Sequence, residues 1–334
     1  MKREIGHVSE ERAVAECVRG VVEGDRRLLA KAITLVESMR REDAPLREEL
    51  LARLLPRTGC AVRVGITGTP GVGKSTFIEA LGLFLVGRGE RVSVLAVDPS
   101  SPVSGGSILG DKTRMEQLAQ HPEAFIRPSP SGGSLGGVAN RTREALLVCE
   151  AAGFGVALVE TVGIGQSEIV VSSMVDSFCV LLQPGAGDAL QGMKKGVLEL
   201  ADVLAVNKAD GEQKAAAERA RDEYARALGL FSPGAAVWTP RVLAVSAREK
   251  VGIDAFWETL LAHREALLGS GELENKRRRQ ARAWMWSLIE QGLQESFREH
   301  REVKSRIAEL ERAVEEQRLT PAAAAQTLLE LFRK

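Results

Sequence analysis

The residues best suited to chemistry in this chain form one short stretch near position 70. Residues 68–75 follow the pattern G-x-x-x-x-G-K-[ST], in which the backbone N–H groups of a glycine-rich loop surround phosphate oxygens. An apolar run precedes the stretch and a helical run follows it. A glycine-rich turn that matched the pattern by chance would not need to lie between a strand and a helix. The stretch therefore predicts a nucleoside triphosphate site at a helix start, where the helix dipole also favours anions.

Each part of this loop has its own expected role. Lys74 is expected to reach the β- and γ-phosphate oxygens, and the hydroxyl of Ser75 to coordinate Mg²⁺. The glycines keep side chains out of the space that the phosphates need. The residues expected to contact the nucleotide here are Gly68, Gly71, Val72, Gly73, Lys74, Ser75 and Thr76.

A second polar stretch, residues 207–210, matches the guanine-recognition pattern N-K-x-D. The carboxylate of Asp210 would accept two hydrogen bonds from guanine, whereas adenine offers no such donor pair at that edge. We expect Lys208 to lie across the base and Asn207 to tie adjacent loops together. Ser246 and Ala247 resemble the loop that offers a backbone N–H to the guanine oxygen. These motifs, in this order, predict GTP and GDP as ligands rather than ATP.

Three carboxylates between these motifs are candidates for metal binding and catalysis. Asp98 ends a predicted strand and Asp111 lies in the following loop; each could act on Mg²⁺ through water or simply cap a turn. Glu160 and Gly163 form an E-x-x-G variant of the D-x-x-G element, with the Gly163 N–H directed at the γ-phosphate. The nearest glutamine is Gln166 and not the residue after Gly163. We therefore expect slow intrinsic hydrolysis that rises when a partner completes the site.

Residues 183–196 form a third segment with many glycines and charges after a predicted strand. One interpretation is an ordinary connection between a strand and a helix, with Asp188 as the helix cap. The other is a mobile loop that senses the nucleotide. Its length and its place beside the nucleotide favour the second interpretation.

These motifs all follow predicted strands, and the alternation of strands and helices defines the fold class. Between residues 62 and 268, short apolar runs alternate with helical stretches, which predicts an α/β fold with a doubly wound, mainly parallel sheet. Ligands of such sheets bind at the carboxyl ends of the strands. The predicted strands are Val62–Thr67, Val92–Val97, Ala124–Arg127, Val156–Glu160, Ser177–Leu182, Val203–Val206 and Val242–Val245.

Helical regions are predicted on either side of this domain. We place an N-terminal helical region at 1–58, the nucleotide domain at 59–268 and a C-terminal helical arm at 269–334. The first region has two apolar stripes at helical spacing, 14–21 and 29–36, and Asp25 between them is a predicted N-cap. In the arm, Thr320 is a predicted N-cap followed by proline.

The arm also contains a basic cluster, residues 276–279, close to Trp284 and Trp286. This combination is found in nucleic-acid-binding proteins. A solvated helix start followed by buried tryptophans is the alternative, and zero net charge favours it. Because the arm has little core of its own, we expect it to pack on the main domain or on a second copy of the chain.

The composition excludes several classes of partner. Lys and Arg together number 45, as do Asp and Glu, so broad electrostatic binding to nucleic acid or to a membrane is not expected. No apolar run approaches membrane-spanning length, and the N-terminus lacks the pattern of a signal peptide. The four cysteines are scattered, as expected of small core residues in a reducing compartment. We expect a cytoplasmic protein.

Together these stretches resemble the MeaB/ArgK type of P-loop GTPase, the G-protein chaperones of adenosylcobalamin-dependent acyl-CoA mutases. The resemblance covers the whole nucleotide domain, and the helical regions fit in length and position. The matching stretches are GITGTPGVGKST (65–76), VDPSS (97–101), GGSILGDKTRM (105–115), FIRPSP (125–130), ETVGIGQSE (160–168), PGAGDALQGMKKG (184–196) and NKAD (207–210).

The resemblance implies a homodimer, held largely by the C-terminal dimerisation arm, in which GTP hydrolysis gates the delivery of adenosylcobalamin to a mutase and protects that mutase. It implies catalytic or metal-binding roles for Lys74, Ser75, Asp98, Asp111 and Glu160. The residues implied to report the nucleotide state to the partner are Gln166, Asp188, Gln191 and Lys194.

One residue departs from the family pattern: Ala189 stands where an acidic residue is common. It indicates a different mutase partner or altered coupling. Methylmalonyl-CoA, isobutyryl-CoA and hydroxyacyl-CoA mutases all remain open as clients. No D-x-H-x-x-G motif is present, so direct cobalamin binding is not expected.

Three other functions are compatible with a phosphate loop. Related GTPases that insert nickel carry Cys/His clusters, whereas the cysteines and histidines here are scattered. A P-loop kinase would transfer the γ-phosphate to a protein or small-molecule acceptor, but no acceptor site is evident. A binding module that uses nucleotide structurally would show no hydrolysis even with its partner.

Overall fold

The computed structural model describes residues 2–97, 115–128, 135–161, 167–185, 195–231 and 237–333. Within these ranges, seven strands form one parallel sheet in the order β3-β2-β4-β1-β5-β6-β7. The predicted strands are confirmed to within one residue at each end. The strands are β1 Val62–Gly68, β2 Val92–Val97, β3 Ala124–Arg127, β4 Val156–Thr161, β5 Ser177–Leu182, β6 Val203–Val206 and β7 Arg241–Ala244.

Helices flank this sheet, and further helices follow its last strand in the chain. Short 3₁₀ turns occur at Arg41–Asp43, Leu55–Arg57 and Gly211–Gln213. The α-helices of the described residues are α1 Lys2–Glu23, α2 Arg26–Glu37, α3 Ala44–Leu54, α4 Lys74–Gly87, α5 Glu116–Gln120, α6 Leu135–Ala151, α7 Ser167–Ser172, α8 Lys195–Glu199, α9 Lys214–Phe231, α10 Ile253–Gly269, α11 Glu272–Glu299, α12 Arg301–Glu315 and α13 Pro321–Phe332.

Both faces of the sheet are covered, which explains the continuous apolar strands. On one face the core contains residues of α4, α5 and α10, with Phe77 and Phe256 in edge-to-face contact at 4.9 Å between ring centroids. On the other face it contains residues of the three N-terminal helices and of α6, α7 and α9. The predicted α/β class with a parallel sheet is confirmed.

The N-terminal helices form part of this second core face. All four residues of the predicted stripe at 29–36 are buried, and Val14, Cys17 and Val21 of the other stripe are buried as well. The Asp25 carboxylate accepts hydrogen bonds from the N–H groups of Arg27 and Leu28, which confirms the predicted cap of α2.

The described residues divide into two compact units, Met1–Gln280 and Ala281–Lys334. In the second unit, Phe332 packs edge-on against Phe297 and His300. Thr320 accepts a hydrogen bond from the N–H of Ala323, which confirms the predicted cap of α13.

Two expectations about the arm were wrong in part. Two of the four residues of the basic cluster are not solvated, because Lys276 and Arg277 bind Asp176, as described next. Arg278 and Arg279 are exposed, as expected. Trp286 is not buried in the single chain, where 56% of it is exposed.

The α7–β5 turn, residues 172–176, is where the first turns of α11 attach to the sheet. The Asp176 side chain is 1% exposed, and its carboxylate accepts hydrogen bonds from Arg277 Nε at 2.8 Å and Nη2 at 2.7 Å. Lys276 Nζ donates to the Asp176 carbonyl at 2.6 Å, and Gln280 Nε2 donates to the Val175 carbonyl at 2.9 Å. The ion pair between Asp176 and Arg277 therefore holds the first turns of α11 against the α7–β5 turn.

The cysteines are all free thiols, and three of the four are buried as expected. Burial raises the pKa of the Cys149 thiol to about 12, so this thiol stays protonated and packs as an apolar group. Cys60 is the exception to the expectation, because it is exposed. Across the part of the chain that the structure describes, no helix combines the length and apolar character needed to cross a membrane.

Candidate nucleotide-binding site

The phosphate loop lies where β1 ends and α4 begins, at the carboxyl edge of the sheet. Gly71 and Gly73 have φ values of 78° and 92°, a region that glycine enters without strain. A Cβ on Gly68 would lie 2.7 Å from the carbonyl oxygen of Leu181 in the neighbouring strand. Positive φ angles and close backbone contacts therefore account for the glycines of the motif.

Lys74, the first residue of α4, turns back over this loop. Its Nζ donates a hydrogen bond to the Gly68 carbonyl at 2.8 Å. A second hydrogen bond, to the Thr69 carbonyl at 3.5 Å, also holds the ammonium group over the loop, where its positive charge suits phosphate oxygens. Thr76, in the same first turn, is exposed.

Ser75 and Glu160 come together beside the loop. The Ser75 hydroxyl donates to Glu160 Oε1 at 3.4 Å, and Glu160 is 4% exposed at the end of β4. A hydroxyl and a carboxylate oxygen are hard ligands that suit Mg²⁺, which is held by few protein groups together with phosphate oxygens and water. Among the described residues there is no cluster of three or more His, Cys, Asp or Glu able to hold a metal.

The guanine motif is bonded directly to the phosphate loop. The Asn207 amide Nδ2 donates to the Val72 carbonyl at 2.9 Å, and its Oδ1 accepts from the N–H of Ala247 at 3.1 Å. A Cβ on Gly73 would lie 2.9 Å from this Nδ2 atom, so the close approach requires glycine there. Asn207 thus joins three of the predicted site segments, as the sequence led us to expect.

The other residues of this motif are also held in place. Lys208 has a φ of 62° and its Nζ donates to the Gly71 carbonyl at 2.7 Å. The Asp210 carboxylate accepts a hydrogen bond from the Ser246 hydroxyl, which in turn accepts from the N–H of Glu249 at 3.0 Å. A carboxylate fixed in this way can present an oxygen to two donors of a base.

Several predicted site residues are not covered by this description. Asp98, Asp111, Gly163, Gln166, Asp188, Ala189, Gln191 and Lys194 lie outside the described residues. Sequence reasoning also missed two residues next to the site, Thr67 and Thr161, whose buried hydroxyls are hydrogen-bonded to each other. The available signal was a threonine as the last residue of β4 and the last but one of β1.

A parallel sheet with a phosphate loop after β1 and a base-recognition motif after β6 defines a P-loop nucleotide-binding protein of the GTPase class. The family model described as "Methylmalonyl Co-A mutase-associated GTPase MeaB" matches residues 29–302. The chain belongs to this family, it is a GTPase, and its ligand is guanine nucleotide.

Individual relatives agree with this assignment. A probable GTPase of Mycobacterium tuberculosis is 54% identical over 318 residues, which cover 95% of this chain and 94% of that protein. The GTPase ArgK of Escherichia coli is 50% identical over 275 residues, covering 82% and 83%. A crystal structure of an LAO/AO transport system kinase is similar with a TM-score of 0.75 and 38% identity, covering 97% of this chain and 99% of that one.

Proposed function

We propose that this GTPase is a chaperone of an adenosylcobalamin-dependent acyl-CoA mutase. GTP binding and hydrolysis would gate the loading of adenosylcobalamin, and would protect and reactivate the mutase. The match of residues 29–302 to a family described as mutase-associated carries this proposal. The described site supports the nucleotide part, because Asn207 connects the base-recognition segment to the phosphate loop.

In the proposed mechanism, GTP lies over the phosphate loop with its base against Asp210. Lys74 binds the β- and γ-phosphate oxygens, where its charge is most effective as negative charge shifts during cleavage. Ser75 and Glu160 would hold Mg²⁺, with Asp98 and Asp111 as further proposed contributors through water. When bound, Mg²⁺ would supply neutralisation of the negative charge that develops during phosphoryl transfer.

We propose that intrinsic hydrolysis is slow because no glutamine directly follows Gly163 to orient the attacking water. A mutase partner would complete the site and raise the rate. Gln166, Asp188, Gln191 and Lys194 are the residues proposed to report the nucleotide state to that partner.

We also propose a homodimer formed through the C-terminal arm. Helix α11 presents large apolar side chains that are 41% to 57% exposed in the single chain, an arrangement typical of an association surface. These side chains are Met285, Trp286, Leu288, Ile289 and Leu293.

The test is GTP turnover with and without purified methylmalonyl-CoA, isobutyryl-CoA and hydroxyacyl-CoA mutases, combined with gel filtration of each mixture. We expect one mutase to form a complex and to raise turnover at least about tenfold, a typical effect of completing such a site. A Lys74→Ala protein serves as the inactive control. No complex and no stimulation with any of these mutases would contradict the chaperone role while leaving the GTPase assignment intact.

A kinase activity is the second candidate, because the similar crystal structure is described as a transport system kinase. Such an enzyme would move the γ-phosphate to a protein or small-molecule acceptor in place of water. Incubation with γ-labelled GTP distinguishes the two. The chaperone proposal expects the label in free phosphate, whereas label in an acceptor would support the kinase.

A further inference from the structure

Thr67 and Thr161 lie side by side in the middle of the sheet, on the neighbouring strands β1 and β4. The Thr161 hydroxyl donates to the Thr67 hydroxyl at 2.7 Å between the oxygens. Thr67 is 2% exposed and Thr161 is 0% exposed. The bond is therefore made away from water, where a hydroxyl without a partner would be destabilising.

Packing of the sheet does not by itself explain why these two residues carry hydroxyl groups. In the same row of the sheet, Thr161 is paired with Val97 on β2 and Thr67 with Val180 on β5, so valines flank the pair on both sides. Valine has nearly the same shape as threonine and is favoured in strands. Two valines would fill this row without any buried hydroxyl, so the hydroxyls point to a role beyond filling space.

The position of the pair indicates what that role is. Thr161 directly follows Glu160, whose carboxylate accepts from Ser75, and it is the last residue of β4 before the segment that contains Gly163. Thr67 directly precedes Gly68, whose carbonyl accepts from Lys74 Nζ. The hydrogen bond between the two hydroxyls thus joins the starting points of the two segments that are expected to enclose the γ-phosphate.

The two strands also fix which side of the sheet each group occupies. Successive side chains of a strand point to opposite faces, so Thr161 and Glu160 point to opposite sides. Val159 shares the face of Thr161 and belongs to the core beneath α6 and α7, whereas the carboxylate of Glu160 faces α4. A bond at Thr161 therefore fixes the strand end on the face opposite to the Glu160 carboxylate, which accepts from Ser75.

We propose that Thr161 is a positioning residue for GTP hydrolysis and that Thr67 is its partner. Their hydrogen bond fixes the end of β4 against the end of β1, and so places Glu160 relative to the phosphate loop. Misplacement of a catalytic element by about 1 Å can cost up to about a hundredfold in rate. This inference rests on the proposed roles of Lys74 and Glu160 and not on the identity of the mutase.

The first test compares Thr161→Val with Thr161→Ser in steady-state GTP hydrolysis at saturating Mg²⁺. Valine keeps the shape and removes the bond, whereas serine keeps the hydroxyl. We expect valine to lower kcat about tenfold while KM for GTP changes by less than about threefold, the pattern of an effect on the chemical step. Serine should retain kcat to within about twofold. Equal kcat for wild type and Thr161→Val would overturn the proposal.

The double variant Thr67→Val/Thr161→Val separates positioning from stability. Replacing both partners by apolar groups of the same shape is nearly neutral for stability, whereas removing one leaves a buried hydroxyl unpaired. We expect the double variant to unfold near the wild-type temperature while its kcat stays about tenfold low. Recovery of kcat together with stability would show that the pair only stabilises the fold. If Thr161→Val does not fold, the double variant carries the test alone.

Thr142→Val is the matched control. Thr142 is 3% exposed, and its hydroxyl donates to the Val138 carbonyl within α6 at 3.0 Å. The substitution is chemically the same, but this hydroxyl does not connect strand ends at the site, so kcat should stay at the wild-type value. Lys74→Ala completes the set. If it leaves hydrolysis unchanged, the site assignment itself is wrong. If it abolishes hydrolysis while the valine variants remain active, only the present inference fails.

Discussion

The side-chain amide of Asn207 donates to the backbone carbonyl of Val72 at 2.9 Å, although the two residues are 135 positions apart in the chain. The amide oxygen of Asn207 accepts from Ala247 at the same time. Asn207 is 2% exposed, so neither bond competes with water. The segments proposed to recognise the base and the phosphates are therefore one hydrogen-bonded unit.

Asn207→Asp should weaken binding of GTP and GDP alike. The carboxylate keeps an oxygen for Ala247 but loses the donor to Val72, and it places negative charge against a carbonyl. A buried unpaired group costs about 1–3 kcal/mol, which corresponds to roughly 5- to 150-fold in affinity. Titration with each nucleotide measures this loss. The surface substitution Asn275→Asp should bind as wild type, and an equally tight Asn207→Asp protein would disprove the coupling.

Asp210→Asn should change which base is bound. The amide that replaces the carboxylate presents a donor to the 2-amino group of guanine, where an acceptor is needed. We expect GTP affinity to fall at least about a hundredfold, because a site built around specific hydrogen bonds rejects a ligand that leaves them unmade. Xanthosine triphosphate, with a 2-oxo group, should gain affinity. An unaltered ratio of GTP to ATP binding would mean that the base is recognised elsewhere.

Asp176→Ala should destabilise the protein strongly. It removes the buried carboxylate that binds Arg277 and also accepts from the N–H of Arg63 at 3.0 Å. Loss of one member of a buried ion pair typically costs about 3–5 kcal/mol.

The matched control for this prediction is Glu274→Ala. Glu274 and Arg278 form an exposed pair on the same helix, with side chains 71% and 74% exposed. Such a pair contributes less than about 1 kcal/mol. Urea unfolding of both variants measures the contrast, and similar losses in the two would argue against a special role for the Asp176 pair.

The buried His263 should make stability depend on pH. Burial lowers the pKa of His263 below its usual value of 6.5, with the charge of Lys276 acting in the same direction and Asp202 opposing both. The ring is therefore neutral in the folded protein at pH 7, where its Nδ1 is 2.7 Å from the Ser177 hydroxyl.

The direction in which stability changes with pH follows from the lowered pKa of His263. Below pH 6.5 the unfolded chain takes up a proton that the folded protein does not, so unfolding becomes easier as the pH falls. The slope is at most about 1.4 kcal/mol per pH unit. Urea unfolding between pH 7.5 and 5.5 should show this loss in wild type and a smaller one in His263→Asn. Identical slopes in the two proteins would contradict the prediction.

Local sequence patterns predicted the strands well. Apolar runs identified the strands to within a residue, because strands buried on both faces must be apolar along their whole length. The helix caps at Asp25 and Thr320 followed from local hydrogen-bonding chemistry. The spacing of the glycines predicted the phosphate loop, since positive φ values and close contacts restrict those positions to glycine.

Contacts between distant residues were beyond such patterns. The basic cluster at 276–279 was expected to be solvated, yet Arg277 binds Asp176, a residue 101 positions away. A run of basic residues looks the same in a sequence whether its side chains are hydrated or bind a carboxylate far away in the chain. The Thr67–Thr161 bond likewise depends on β1 and β4 being neighbours, and strand order is not encoded in either strand alone.

The bond between Asp176 and Arg277 has a consequence for where this chain can be shortened. A fragment that stops at Gly271, close to the change in composition, would lack Lys276, Arg277 and Gln280 and would leave the α7–β5 turn without these donors. A fragment that stops at Gln280 retains all three. The smallest fragment able to fold by itself therefore includes the first turns of α11, whatever partner the rest of that helix binds.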